Sequence, residues 1–265
     1  MGAMMHQGEA ILIVTSLLMT RMLVAFSVWP IFMGQTVPVM VRMALAVALS
    51  SLMLPAALND PAMLSISHPQ IVFVILKEAG IGLVLGFLSG IGFWALYTAG
   101  TIIEFQAGMS MATMVDPTTG QDDSMVGGLM MQMFTMLFLV TGGLLSMIGT
   151  LYESYQLWPI PSMALSMGNA SLVEVGLRAL SEMLGLALKV AAPFLLLMLM
   201  LEIGLGLLSR FAPQLNAFFL AMPLKALVLS LLMLLYGAGM SESLRALPVA
   251  DFPGMLNALR GVWHE

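Results

Sequence analysis

The residues best equipped for chemistry in this 265-residue chain are charges set in, or at the edges of, apolar helices: Lys77, Glu78, Glu104, Glu202, Arg210 and Lys225. Ionisable groups in such places are costly in lipid and normally face a protein interior or a water-filled cavity. Lys77 and Glu78 are consecutive, so on a helix they point about 100° apart; they are expected to meet different neighbours rather than each other. Glu174, Arg178 and Glu182 fall at four-residue spacing. They make one charged face that can support itself by ion pairs and is not turned to lipid.

Catalytic chemistry finds no support in these residue types. His6, His68 and His264 lie near the termini and in a proline-bounded loop, and no HExxH occurs. No strand-turn-helix GxSxG is present for a serine hydrolase. Asp122 and Asp123 are adjacent in a loop, where a solvated turn is the simple reading. The absence of cysteine removes disulfides, thiolate metal sites and cysteine nucleophiles. Neither a P-loop nor a Rossmann glycine fingerprint is present. The expectation is a non-enzyme that needs no cofactor and no metal.

The elements that must position those charges are membrane-class. The chain is 60% hydrophobic and 9% charged, with a mean hydropathy of +1.01; a soluble domain carries about 25% charged residues. The net charge of -5 comes with no basic cluster, which argues against a nucleic-acid partner. Met1 to Glu9 lacks a basic n-region, so the first apolar segment is expected to stay in the protein. Most of the 28 methionines read as replacements for leucine in core or lipid-facing positions.

An all-α fold is expected, built from long kinked helical hairpins. Helices are predicted from about Ala10 to Trp29, from Val39 to about Leu54 with a stop at Pro55, and from about Ile71 to Phe105. The third is about 50 Å long, more than a 30 Å hydrocarbon core needs, so it must tilt, kink or project. Gly82, Gly86 and Gly90 recur every four residues along it, and Gly100, Glu104 and Gly108 continue the step. Such a small-residue stripe lets a neighbouring backbone approach closely. A fourth helix is predicted over Leu129 to Met147, interrupted at Gly142-Gly143. An aromatic, proline-rich connection over Leu151 to Ser162 suits either a membrane interface or packing on protein. A helix from Ser171 through a kink at Pro193 to about Leu208 turns at SRFAPQLN and returns from Ala217 to about Tyr236. The positive-inside rule gives no orientation, because the nine basic residues are scattered.

Between the third and fourth helices lies Glu104 to Gly128, EFQAGMSMATMVDPTTGQDDSMVGG. Its glycines, proline and aspartates are poor choices for a helix interior. It reads either as a solvent loop or as an irregular segment lining or closing an aqueous path.

Several segments together resemble one family, the FliR/SctT membrane proteins of type III export gates. They are Arg21 with Pro30 and Gly34; Val37-Pro38 with Arg42; Glu78 with GIGLVLGF; AGTIIEFQAGMSMATMVDPTTG; ESYQLWPI at 153–160; Ala192-Pro193; GLLSRFAPQLNAFF at 206–219; and Pro223-Leu224-Lys225. SRFAPQLN and QAGMSMATMVDP are the most specific. Where the family commonly has Asn/Asp-Gly-His after the fourth helix, this chain has Thr141-Gly142-Gly143-Leu144, so no role of that histidine carries over.

The resemblance implies a heteromeric helical complex with FliP and FliQ, contacted by FlhB and working with FlhA. It would sit in the bacterial inner membrane at the flagellar basal body, with much of the chain above the bilayer plane. It would pass unfolded flagellar subunits out of the cytoplasm. It also implies a FliP-like part over residues 1–168, a FliQ-like hairpin over 169–240 and a tail over 241–265. On this reading Gln106 to Asp123 is expected to plug the closed gate, with Gly108 and Gly120 as pivots and Met109, Met111 and Met114 as a deformable seal beside Asp116 and Pro117. Gly82, Gly86, Gly90, Glu78, Glu104, Glu202, Arg210, Pro213, Gln214, Asn216 and Lys225 are expected to pack against partner subunits. The competing readings are an injectisome export-gate homologue, a scaffold that does not line the pore, and a secondary transporter coupled through Glu104 or Glu202.

Overall fold

The structure is a computed structural model that describes residues 2–32, 37–64, 66, 68–109, 124–162, 172–212 and 217–245. Among them every regular element is helical. The helices are α1 (Gly2–Val28), α2 (Val39–Leu58), the single turn α3 (Pro61–Leu64), α4 (His68–Ala107), α5 (Met125–Val140), α6 (Gly143–Leu157), α7 (Leu172–Phe211) and α8 (Ala217–Arg245). A 3-10 turn, Pro30–Phe32, follows α1. Four described helices are long and apolar enough to cross a membrane, or five if α5 and α6, bent by 73°, count as one span.

Sequence explains most of the boundaries. Apolar runs continue wherever no residue demands a different backbone, and serine and threonine inside them return their hydroxyls to carbonyls three or four residues back, as Thr15, Thr20, Ser27, Thr101 and Thr135 do. The break between α5 and α6 falls at Gly142, whose φ of +81° is a backbone conformation that side-chain-bearing residues rarely adopt. Two expectations are corrected. Pro55 does not end α2, which runs three residues further to Leu58; a proline near a helix end removes only one ladder bond. The proline-rich connection is shorter than expected, because α6 carries Tyr152 and Tyr155 to Leu157 and leaves only Trp158–Ser162 as the turn. Helix α7 continues through Pro193.

The chain forms two compact units, interleaved in sequence, to which α4 and α7 each contribute. The first comprises residues 1–90, 143–175 and 251–265. Its core gathers Leu17, Met22, Ala25 and Phe26 of α1 and Trp29 just beyond it with Ile81 and Leu85 of α4 and Met147 and Leu151 of α6. Phe32 closes edge-on against Phe26 and Trp29, with ring centroids 5.1 and 5.4 Å apart. The second comprises residues 91–142 and 176–250. There Phe93 meets Phe134 and Phe138 edge-on, at 4.7 and 5.2 Å.

In each unit two helices touch at glycine. A Cβ on Gly82 would stand 2.5 Å from the Arg21 carbonyl oxygen, and one on Gly86 would stand 2.7 Å from that of Ala25. The small-residue face of α4 therefore lies against the backbone of α1 within the same chain. In the second unit a Cβ on Gly100 would lie 2.6 Å from the Gly127 Cα, so α4 and α5 cross backbone to backbone. Gly80, two residues before Gly82 and so on a different face, has nothing within 4 Å. Gly86→Leu is therefore expected to lower stability by on the order of 3 kcal/mol, through forced separation of α1 and α4. Gly80→Ala is expected to be neutral or slightly stabilising. Thermal unfolding of the detergent-solubilised protein, read for both variants in parallel, checks the contrast.

Candidate functional site

Five of the charged residues that the sequence singles out, Lys77, Glu78, Glu104, Glu202 and Lys225, sit in two clusters, one in each unit. In the first, Arg21 projects from the middle of α1 and is fully buried. Its Nε donates to Glu78 Oε2 at 2.7 Å, its Nη1 to Ser154 Oγ at 2.9 Å and its Nη2 to the Trp158 carbonyl at 2.9 Å. The guanidinium carbon lies 4.0 Å over the Tyr155 ring, whose hydroxyl donates to the Leu18 carbonyl at 2.7 Å. All three guanidinium nitrogens and one face of the group are thus engaged by protein.

Lys77 joins the same cluster. Its Nζ donates to the carbonyls of Pro159, Ile160 and Ser162, each at 2.9 Å, and lies 3.1 Å from Glu78 Oε1. The expectation that Lys77 and Glu78 do not pair is therefore wrong. Their Cβ directions do diverge, but the four-carbon lysine stem carries the ammonium round to the carboxylate. Two cations face one carboxylate, and four carbonyls of the turn 158–162 supply the remaining negative ends. Prolines at 159 and 161 bring no N–H of their own, so carbonyl oxygen predominates in that turn.

The second cluster brackets the glycine- and methionine-bearing insert. Helix α4 stops at Ala107 because Gly108 takes φ +79°. The Gly108 N–H then donates to the Phe105 carbonyl at 3.1 Å and the Met109 N–H to the Glu104 carbonyl at 3.3 Å, a Schellman closure. Helix α5 starts at Ser124, whose Oγ accepts from the Gly127 N–H at 2.8 Å. Glu104, nine-tenths buried, joins the two ends: its Oε2 accepts from the Ser124 hydroxyl and, at 3.1 Å, from the Val126 N–H. The carboxylate thus sits at the amino end of α5, where backbone N–H groups and the helix dipole favour negative charge. The Ser124 N–H donates to the Tyr97 hydroxyl at 3.3 Å.

Two residues beyond Glu104, Gln106 meets the α7–α8 hairpin. Lys225 of α8, 8% exposed, pairs with Glu202 of α7 and donates to the Gln106 carbonyl at 2.9 Å. The Gln106 side-chain amide donates to the other oxygen of Glu202 at 3.3 Å. These residues line a cavity of about 390 Å³ with Phe105, Leu205 and Met222 among its apolar walls.

Of the residues expected at the insert, Gln106, Gly108 and Met109 are placed here, while Met111, Met114, Asp116, Pro117 and Gly120 lie outside the described residues. Gly90 is buried and Arg210 is exposed at the end of α7. Pro213, Gln214 and Asn216 lie outside the described residues. Ser124, Ser154, Tyr155 and the Gly100–Gly127 crossing were not singled out as site residues. Ser124 carried a signal as a serine directly ahead of an apolar run, Gly100 lies in the four-residue step along α4, and Ser154 and Tyr155 fall within ESYQLWPI. No group of three or more potential metal ligands occurs among the described residues.

The arrangement can hold charge inside apolar helices and fix the residues on either side of the segment between α4 and α5. Fold and site thus define a membrane-class helical protein whose buried charges meet its own polar groups. Residues 12–248 match the family described as bacterial export proteins, family 1, and the chain belongs to that family. It is 34% identical over 226 residues to Yop proteins translocation protein T of Yersinia pestis, covering 85% of this chain and 86% of that protein. It is 36% identical over 183 residues to the surface presentation of antigens protein SpaR of Salmonella typhimurium, covering 69% and 66%. It is 34% identical over 205 residues to the flagellar biosynthetic protein FliR of Escherichia coli, covering 77% and 76%. The resemblance to the FliR/SctT family is thereby confirmed.

Removing one member of the first cluster strands the others in a dry site. Glu78→Gln is expected to cost about 3–5 kcal/mol, because Arg21 and Lys77 then lose their carboxylate. The double variant Arg21→Met with Glu78→Gln is expected to recover part of that loss. Thermal unfolding of the two variants checks the order, the single being the less stable.

Proposed function

We propose that the chain is a pore-lining subunit of a type III protein export gate in the bacterial inner membrane, and that residues 106–123 plug the closed path. Family membership supports the export role. The observation that carries the plug is the double fastening of the segment's ends, by Glu104 to Ser124 and Val126 and by Gln106 to Glu202 and Lys225. A solvent loop needs no buried carboxylate at its base, whereas a stopper that must return to one place after each passage does. Met109, 39% exposed where the chain leaves α4, is suited with Met111 and Met114 to a seal that re-packs around varied side chains.

The gate would be completed by FliP and FliQ or their injectisome counterparts, with FlhB and FlhA as further partners, and the cargo would be unfolded polypeptide. The division into a FliP-like part over 1–168 and a FliQ-like hairpin over 169–240 belongs to the same proposal, as does a partner-facing role for exposed Arg210 and for Pro213, Gln214 and Asn216. The flagellar and injectisome readings differ in cargo rather than in mechanism. The longer match to the Yersinia translocation protein, 85% of the chain against 77% for FliR, favours the injectisome alternative.

Deleting residues 110–123 is expected to raise ion leakage across the inner membrane of cells carrying the assembled gate by at least about tenfold, as expected for opening a water-filled path. Leakage at the level of the intact chain, with export retained, would overturn the plug. Arg210→Glu is expected to reduce co-purification of the partner subunits without changing the isolated chain's thermal stability.

A further inference from the structure

We propose that Glu202 and Lys225 form a positioning pair that clamps the last turn of α4 to the α7–α8 hairpin and so sets where the chain leaves α4 at Gly108 and Met109. This inference rests on the reading of residues 106–123 as the plug, and it adds the device that holds the plug's first residues.

The last carbonyls of a helix have no partner within it. Two of them, those of Glu104 and Phe105, are served by the N–H groups of Met109 and Gly108. The Gln106 carbonyl is served instead by Lys225 Nζ at 2.9 Å, from a different helix. A cation at this place also opposes the negative end of the α4 dipole. The lysine's charge is balanced by Glu202 on the other arm of the hairpin, whose second oxygen accepts from the Gln106 side chain at 3.3 Å. Three residues on three helices thus close a ring in which each holds the other two. A pair that only joined the hairpin's arms would need Glu202 and Lys225 alone. Gln106 enters through both its main chain and its side chain, which brings α4 into the ring.

Packing is incomplete at the contact. A cavity of about 390 Å³ opens at this point between Phe105, Ala107 and Gly108 of the α4 end and Leu205, Gly206, Ala221 and Met222 of the hairpin. A Cβ on Gly108 would find only the Met222 Cε, at 4.0 Å. Ala107 and Leu205 are buried beside it, and the polar ring adds the directional contact that apolar packing lacks. Other charged groups near it are committed or remote: Glu104 is bound to Ser124 and Val126, and Arg210 is two turns along α7 from Glu202 and exposed.

The chain contains no cysteine, so a single introduced thiol reports one place. The test uses the full chain carrying Met109→Cys in its native membrane complex, with the labelling rate of that thiol by a membrane-impermeant maleimide as the readout. Lys225→Met is expected to raise the rate about tenfold, the effect of losing a charge-assisted hydrogen bond, and Lys225→Arg to leave it near the starting value. The exchange Glu202→Lys with Lys225→Glu keeps an ion pair between the arms but turns a carboxylate toward the Gln106 carbonyl, so it is expected to label as fast as Lys225→Met. Glu202→Gln, which preserves volume, is expected to give a several-fold rise and serves if Lys225→Met does not assemble. An unchanged rate in assembled Lys225→Met or Glu202→Gln would overturn the clamp, as would full protection in the exchange variant. The labelling rate is independent of leakage, so failure of the plug reading and failure of the clamp remain distinguishable.

Discussion

Charge inside an apolar helix is the constraint on which the rest of this structure depends. Moving an ion out of water costs several kcal/mol even after relaxation, against a folding margin of about 5–15 kcal/mol. Arg21, at 0% exposure, therefore has to be met on every side, and the fold of the first unit is the means. Helix α4 brings Glu78, α6 brings Ser154 and the ring of Tyr155, and the turn after α6 brings the Trp158 carbonyl. The backbone contact between α1 and α4 at Gly82 involves the carbonyl of Arg21 itself. Close approach and charge pairing are thus imposed at the same residue, and they fix the register of the two helices together.

The second unit applies the same constraint to a different end. Glu104 caps α5 while sitting on α4, and Lys225 caps α4 while sitting on α8. Each buried charge satisfies a helix terminus belonging to another element. Both termini border the insert between α4 and α5. The carboxylate joins the residues on its two sides, and the lysine connects the end of α4 to the hairpin.

Much of the architecture was legible because it follows from composition and length. The over-long third helix, the break at Gly142 and the returning hairpin all rest on apolar runs, glycine and turn residues, and they appear as read. The need for partners was legible too, since ionisable groups such as Glu78 in an apolar helix are costly in lipid and face protein or water. Which partner was not legible: Arg21 and Glu78 are separated by 57 positions, and no local rule connects them. The Lys77–Glu78 contact was misread because spacing on a helix describes Cβ directions, whereas the pair is decided at the end of a long side chain by the carbonyls of a distant turn. Pro55 was misread because a proline near a helix end breaks little. The role of Glu104 as a cap on α5 depends on the Gly100–Gly127 crossing, a tertiary fact that neither glycine announces alone.

The central claim is that the insert between α4 and α5 lies in the path of exported polypeptide. The most direct measurement places a photo-crosslinking residue at Met109, Met111 or Met114 in turn, with Met40 on the exposed face of α2 as the control, in cells whose export is stalled by a substrate with a folded tail. The account predicts covalent adducts to the stalled substrate from positions 109, 111 and 114 and none from position 40. Substrate adducts absent from all three methionine positions while the stalled intermediate is present, or equally abundant at position 40, would contradict it.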